Sequence, residues 1–220
     1  MIQAGAYRDT REGEVVVVLG GGPSGPDDVA ELTRRGEWGA VVSVNDHAAR
    51  WVNAAFVVSV DVSFRLGRVL GSPVHVSPFA GDVDLAGFPV DRDWSASTAL
   101  RWAEWLGAAR VVLAGFDLYQ GPRLYLDDTP APDGYRAGSD HFTLAGQLAI
   151  WRRIRERLRH PERIEVVSGP LVEVFGPLDR ARVLPGGRQT YSGRQRMTCA
   201  PLGFSENSTV CLSGCGHGSR

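Results

Sequence analysis

The sequence predicts an α/β fold with a doubly wound, mostly parallel sheet, and two observations support this. Apolar runs rich in β-branched residues recur between residues 14 and 178, and segments with a helical spacing of apolar residues separate them. The runs are too continuous for strands with one exposed face, so they indicate strands buried on both faces. Strands that alternate with helices are typical of βαβ units, which build parallel sheets.

Each element is predicted from its own run of residues and the turn signals around it. The predicted strands are residues 14–19, 40–44, 55–60, 110–114 and 164–167, with a weaker candidate at residues 74–77. Four helices are predicted. The first has Asp27 or Asp28 as its N-cap and ends near Arg35, and a short one spans residues 48–52. The other two span residues 95–106, where Gly107 ends the helix, and residues 143–159.

These elements predict a single Rossmann-like domain over residues 14–178. Residues 119–140 are rich in Gly, Pro and Asp, and this connection is longer than the loops that usually join elements of a compact domain. We therefore expect these residues to form a short lid insertion. From residue 180 to residue 220 no hydrophobic period survives, which predicts a disordered, flexible tail. The tail holds the three cysteines, Cys199, Cys211 and Cys215, whose spacing lacks the repeated close pairs of zinc sites, so no metal site is expected.

Charge and composition exclude several kinds of function. The net charge is −1, so we expect no nucleic-acid partner, and the chain has no lysine, which excludes a Schiff-base lysine and a Walker-type phosphate loop. The N-terminus is too polar for a signal peptide, and no run of 18 apolar residues predicts an integral membrane segment. We therefore expect a cytoplasmic protein, and the sequence is compatible with a homo-oligomer.

Glycine and polar residues directly follow the predicted strands, at the sheet edge where parallel sheets bind ligands. Glycines let the backbone approach an anion closely, and the start of the next helix offers unpaired N–H groups to a phosphate. Turn formation or helix capping without a ligand is the alternative for each of them. The candidate nucleotide-binding residues from this rule are Gly20, Gly21, Gly22, Ser24, Asn45, Asp61 and Asp117.

Two further observations refine the candidate site. The glycine turn does not follow the G-x-G-x-x-G pattern, and only Asp46 approaches the place of a ribose-binding acid, so a nicotinamide cofactor is disfavoured. His141 precedes the predicted helix at residues 143–159 and could accept a proton near neutral pH. A surface position behind an N-capping Asp140 is the alternative for His141, and the residues alone favour it.

The order of these motifs resembles one known family over residues 14–175. The matching parts are Gly20-x-Gly22-Pro23-Ser24, Asn45, a helix that opens at Ser95, and Gly115-Phe116-Asp117-Leu118-Tyr119-Gln120 with a second tyrosine at Tyr125. The chain is similar in these parts to bacterial lipooligosaccharide sialyltransferases and to phage and bacterial proteins of that fold, including those similar to 6-hydroxymethylpterin diphosphokinase.

The resemblance implies a metal-independent glycosyltransferase without a cofactor, whose substrates are a CMP-sialic-acid-like nucleotide sugar and a hydroxyl acceptor. It implies that Ser24, Asn45 and Ser95 join the glycines in holding the nucleotide. Tyr119 and Tyr125 would hydrogen-bond the departing phosphate, and His141 would deprotonate the acceptor. Neutral O–H donors of this kind fit a chain that lacks lysine.

Two other functions stay open from the sequence. A diphosphokinase that acts on a pterin-like substrate would use ATP and Mg²⁺, and carboxylates such as Asp61 and Asp117 would then matter. A non-catalytic nucleotide-binding protein, such as a phage accessory protein, would keep the fold and bind the nucleotide without turnover.

Overall fold

A computed structural model of the chain describes residues 1–36, 39–91, 94–120, 124–126 and 142–179. The predicted tail with its cysteines, most of the predicted lid, and His141 lie outside the described residues. Within the described ranges the protein is an α/β domain built on a parallel sheet flanked by helices, as the sequence predicts.

Eight strands lie in the described part of the chain. They are β1 (Ile2–Gln3), β2 (Val15–Leu19), β3 (Ala40–Val44), β4 (Phe56–Val58), β5 (Val74–Val76), β6 (Val83–Asp84), β7 (Arg110–Ala114) and β8 (Ile164–Val166). Six of the described strands form one sheet in the order β5-β4-β3-β2-β7-β8, and every pair is parallel. The strand order reverses between β2 and β7, which makes their carboxyl ends the switch point of the sheet.

Helices cover both faces of this sheet. They are α1 (Gly25–Arg35), α2 (Ser95–Trp105), α3 (Leu144–Glu156) and α4 (Val172–Phe175), with 3₁₀ turns at Ala4–Tyr7, Ala48–Arg50 and Pro161–Arg163. Alternate residues of β2 pack into the hydrophobic cores on the two faces of the sheet. Val16 and Val18 pack with residues of α2 and α3 on one face, and Val17 and Leu19 pack with Leu32 of α1 on the other. Burial on both faces explains why the strand sequences are continuously apolar.

The start of α1 differs from the prediction. The helix begins at Gly25, and Asp27 and Asp28 lie in its first turn rather than at its N-cap. The Asp28 carboxylate instead accepts a hydrogen bond of 2.8 Å from the backbone N–H of Gly115, which lies beyond the end of β7. This long-range contact is invisible to local capping rules. At α3 the N-cap is Thr143, whose side chain accepts a hydrogen bond from the Gly146 N–H.

The chain before residue 14, which the sequence analysis left outside the domain, packs onto it. Ala4 is fully buried, and its carbonyl oxygen accepts a hydrogen bond of 2.8 Å from the Trp105 indole N–H. The Tyr7 ring lies edge-on to Phe56, with 5.6 Å between the ring centroids. β1 also pairs with β6 in a small parallel sheet. The N-terminal segment therefore belongs to the described fold.

Ser95 ties the start of α2 to the end of β4, and we expect its removal to destabilise the domain. The Ser95 hydroxyl oxygen accepts a buried hydrogen bond of 3.0 Å from the Val60 N–H. Ser95→Ala should leave that amide unsatisfied and lower the free energy of unfolding by about 1–3 kcal/mol, measured by urea denaturation.

Ser97 provides the matched control on the same helix. Its hydroxyl is buried and has no hydrogen-bond partner among the described residues. Ser97→Ala should therefore change stability little or raise it, because it removes a buried group that gains nothing from the fold. An equal decrease in the free energy of unfolding in the two variants would contradict the role of Ser95 as a hydrogen-bond acceptor.

Candidate functional site

The glycine turn after β2 is held tightly against the turn after β7. The Gly22 N–H donates a hydrogen bond of 2.9 Å to the Gly115 carbonyl oxygen. A Cβ atom at Gly20 would overlap that same oxygen, and a Cβ atom at Gly22 would overlap a carboxylate oxygen of Asp117. Close backbone approach at the switch point therefore requires glycine at both positions.

The Asp117 carboxylate accepts hydrogen bonds from the donors at the end of the glycine turn. Both the backbone N–H and the hydroxyl of Ser24 lie 3.0 Å from Asp117 Oδ2. These are the Ser24 groups that the sequence analysis assigned to a nucleotide phosphate. That assignment stays a prediction, and in this structure an internal carboxylate accepts from the donors.

Asp28 brings a second carboxylate to the same place. It is 3% exposed and accepts hydrogen bonds from the Gly115 N–H at 2.8 Å and from the Ser168 hydroxyl at 2.5 Å. Burial raises the pKa of the Asp28 carboxyl above its usual value, the three hydrogen bonds from Ser168, Gly115 and Ser24 act against this, and the charge of Asp117 raises it further. The Ser24 hydroxyl lies 3.3 Å from Asp28 Oδ2, and since it has one proton it donates to one carboxylate at a time.

Two tyrosines converge above the glycine turn. The hydroxyl oxygens of Tyr119 and Tyr125 are 3.5 Å apart, and their rings meet edge to face. The Tyr125 ring also stacks on His47, with 4.5 Å between centroids and 12° between planes. The Leu126 N–H donates to the Gly21 carbonyl oxygen at 2.8 Å, which fixes this segment to the turn.

The backbone and the surroundings of Tyr119 are unusual. Tyr119 has φ +58° and the preceding Leu118 has φ +54°, a left-handed conformation that is uncommon for such bulky residues and that stores strain. Burial raises the pKa of the Tyr119 hydroxyl, the hydrogen bond with Tyr125 opposes the shift, and the charge of Asp61 adds to it. The Tyr119 ring also contacts Phe142, the residue after His141 in the chain.

Asn45 and Ser95 lie at the same edge of the sheet, but no hydrogen bond joins them to the glycine turn within the described residues. Asn45 follows β3 with φ +53°, and its Oδ1 is buried without a partner among those residues. Ser95 accepts from Val60, two residues beyond β4. The structure thus brings Gly20–Gly22, Ser24, Asp117 and the two tyrosines together, and the charge of Asp61 acts on the Tyr119 hydroxyl.

Sequence analysis missed three residues of this cluster. His47 follows β3, Ser168 follows β8, and Asp28 lies in the first turn of α1. The rule that polar residues after parallel strands meet at one edge would have found His47 and Ser168. Asp28 gives no such signal, since an acid in the first helical turn is ordinary.

Within the described residues, no group of three or more His, Cys, Asp or Glu side chains is placed to hold a metal ion. No helix in the described part of the chain has both the length and the apolar character needed to span a membrane. In comparisons with protein-family models, with curated proteins and with solved structures, no significant match to this chain is found.

Proposed function

We propose that the protein transfers a sugar from a nucleotide-activated donor, of the CMP-sialic-acid type, to a hydroxyl acceptor without the help of a metal ion. The observation that carries this proposal is the pair of tyrosine hydroxyls 3.5 Å apart beside the glycine turn at the switch point. Two neutral O–H donors at one point suit the oxygen of a departing phosphate, which gains negative charge as its bond to the sugar breaks.

The proposed reaction uses this chain's own side chains for each proton and charge. The acceptor oxygen forms the new bond to the anomeric carbon of the sugar while the bond from that carbon to the phosphate oxygen breaks. Tyr119 and Tyr125 donate hydrogen bonds to the leaving phosphate. His141 takes the proton of the acceptor hydroxyl.

A ligand screen tests the proposed donor. Thermal unfolding of the full chain would be followed with CMP, UMP, GDP and ADP, with their sugar conjugates, and with and without EDTA. We expect CMP and its conjugates to raise Tm the most, because a ligand stabilises the native state by RT ln(1 + [L]/Kd). We expect EDTA to leave the shift in Tm and the rate of turnover unchanged. In a separate assay, normal turnover by His141→Ala would refute the role of His141 as the base.

The other two functions give different results in the same assay. ATP with Mg²⁺ is added to the screen for this purpose, and stabilisation by ATP that disappears with EDTA would favour the diphosphokinase. Stabilisation by CMP without any loss of donor would favour a non-catalytic nucleotide-binding protein. Either result would overturn the proposed transfer.

Asp117→Asn tests whether the carboxylate competes with a ligand phosphate for Ser24. The asparagine keeps the shape and one acceptor oxygen but removes a negative charge that opposes a phosphate at short range. We expect CMP to bind about tenfold more tightly, a gain of about 1.4 kcal/mol, measured by isothermal titration calorimetry.

Asp27→Asn is the matched control, because it makes the same change of charge at an exposed position in the first turn of α1. We expect it to change the affinity for CMP less than twofold. Weaker binding by Asp117→Asn would contradict the competition and would favour direct contact between Asp117 and the nucleotide.

A further inference from the structure

A polar hollow lies on the side of the domain away from the glycine turn. It has a volume of about 200 Å³, and its lining residues are Pro89, Arg101, Glu104, Trp105, Arg157 and Arg159. α2 and α3 each connect parallel strands and run back across the sheet, so their C-terminal ends lie at its amino edge. The hollow lies where these ends meet, and we call it the arginine hollow.

The positive charges of the arginine hollow are not neutralised within the described residues. Arg157 and Arg159 are exposed, and neither guanidinium forms an ion pair with a described carboxylate. Arg101 donates through Nη1 to the Pro89 carbonyl oxygen at 3.2 Å, but its Nε is buried and has no partner in the described part of the chain. A buried guanidinium N–H without an acceptor is costly unless a ligand supplies one.

The Glu104 carboxylate offsets only one of these charges, and its two oxygens also contact the backbone beyond the end of α3. They accept backbone hydrogen bonds from Arg159 at 3.2 Å and from His160 at 2.6 Å. Three guanidinium groups against one carboxylate leave an excess of two positive charges around the hollow.

Helix dipoles account for only part of the arrangement. Arg157 is the C-cap residue of α3 and Arg159 follows it, so the dipole of α3 favours a positive charge there. Arg101 lies before the last turn of α2, where the dipole has little effect, and the basic residues in the last turn of α3 are Arg153 and Arg155. The α3 pair in the last turn also lies outside the lining of the hollow, so it can serve as a control.

We propose that the arginine hollow binds a small molecule that carries a phosphate group. A phosphate monoester has about two negative charges near neutral pH, which matches the excess charge. Guanidinium groups bind phosphate oxygens in bidentate fashion, and a volume of about 200 Å³ accommodates a phosphate with a small substituent. Trp105 forms one wall of the hollow, and the hydrogen bond from its indole N–H to the Ala4 carbonyl oxygen fixes the ring. The Arg8 guanidinium carbon lies 5.2 Å from the centroid of the same ring.

Titration of the full chain with inorganic phosphate tests this site, with ionic strength held constant by chloride. We expect saturable binding, followed by calorimetry, and at least a tenfold loss of affinity in the double variant Arg157→Gln and Arg159→Gln. The matched control is the double variant Arg153→Gln and Arg155→Gln, which removes the same charge from the same helix. We expect the control to keep its affinity for phosphate within twofold.

The outcomes separate this site from the glycine turn and from other anions. Ser24→Ala, at the candidate donor site, should leave phosphate binding at the arginine hollow unchanged, so the two proposals fail or stand independently. Equal losses in the two arginine double variants would overturn the site, because they would indicate a general effect of charge. Binding of a single-stranded oligonucleotide that depends on Arg157 and Arg159, without binding of phosphate, would overturn the small-molecule ligand.

Discussion

Replacing both Tyr119 and Tyr125 by phenylalanine is expected to lower kcat by about 100-fold to 1,000-fold, as the loss of a preorganised donor to a developing oxyanion does in other enzymes. The rings would remain, so the edge-to-face contact between them and the stack of Tyr125 on His47 should persist. Only the two hydroxyl groups, 3.5 Å apart, are lost. The measurement is the rate of nucleotide release from the donor at saturating acceptor.

The single variants should not be additive, because the two hydroxyls contact each other and serve the same oxygen. Tyr7→Phe is the matched control, since Tyr7 packs on Phe56 and Trp102 in the N-terminal part of the fold. Turnover in the Tyr119 and Tyr125 double variant within threefold of the unaltered protein, with an unchanged Tm, would refute the role of the hydroxyls in leaving-group stabilisation.

The strands could be predicted because their signal is local. Residues 40–44 and 110–114 were predicted from runs of small and β-branched apolar residues, and β3 and β7 have these same bounds. The two-residue strands β1 and β6 carry no such signal, because each exists only through its pairing with the other across about eighty residues of chain. The start of α1 was misplaced for a related reason, since Asp28 bonds to Gly115 rather than to its own helix.

The location of the site could be predicted better than its electrostatics. Parallel topology alone brings Gly22, Ser24 and Asp117 to one edge, and the structure places Gly22 and Ser24 in contact with Asp117. The sequence could not show that the carboxylates of Asp117 and Asp28 would take the Ser24 donors, because that depends on side-chain geometry across the switch point. A phosphate at Ser24 therefore has to displace a carboxylate, which makes the charge of Asp117 the first quantity to vary in a binding experiment.

The close contact between Gly20 and Gly115 leads to the largest expected effect on stability. A Cβ atom at Gly20 would overlap the Gly115 carbonyl oxygen, which is backbone and already accepts from the Gly22 N–H. The Gly115 N–H is itself bound to buried Asp28, so the turn after β7 cannot move away without breaking a second contact. We expect Gly20→Ala to lower the free energy of unfolding by about 3 kcal/mol or more, the upper end of overpacking costs, measured by urea denaturation.

Two other glycines make this result specific. A Cβ atom at Gly21 would lie 2.8 Å from the Cβ and Cγ atoms of His47, and rotation of that side chain would not move its Cβ atom. Gly21→Ala should therefore cost about 1–3 kcal/mol and disturb the stack on Tyr125. Nothing lies within 4 Å of a Cβ atom at Gly5, so Gly5→Ala should be close to neutral. If Gly20→Ala were as stable as Gly5→Ala, the two turns would have to be further apart at the switch point than this structure has them. The clustering of Ser24, Asp117 and the tyrosines would then lose its structural basis.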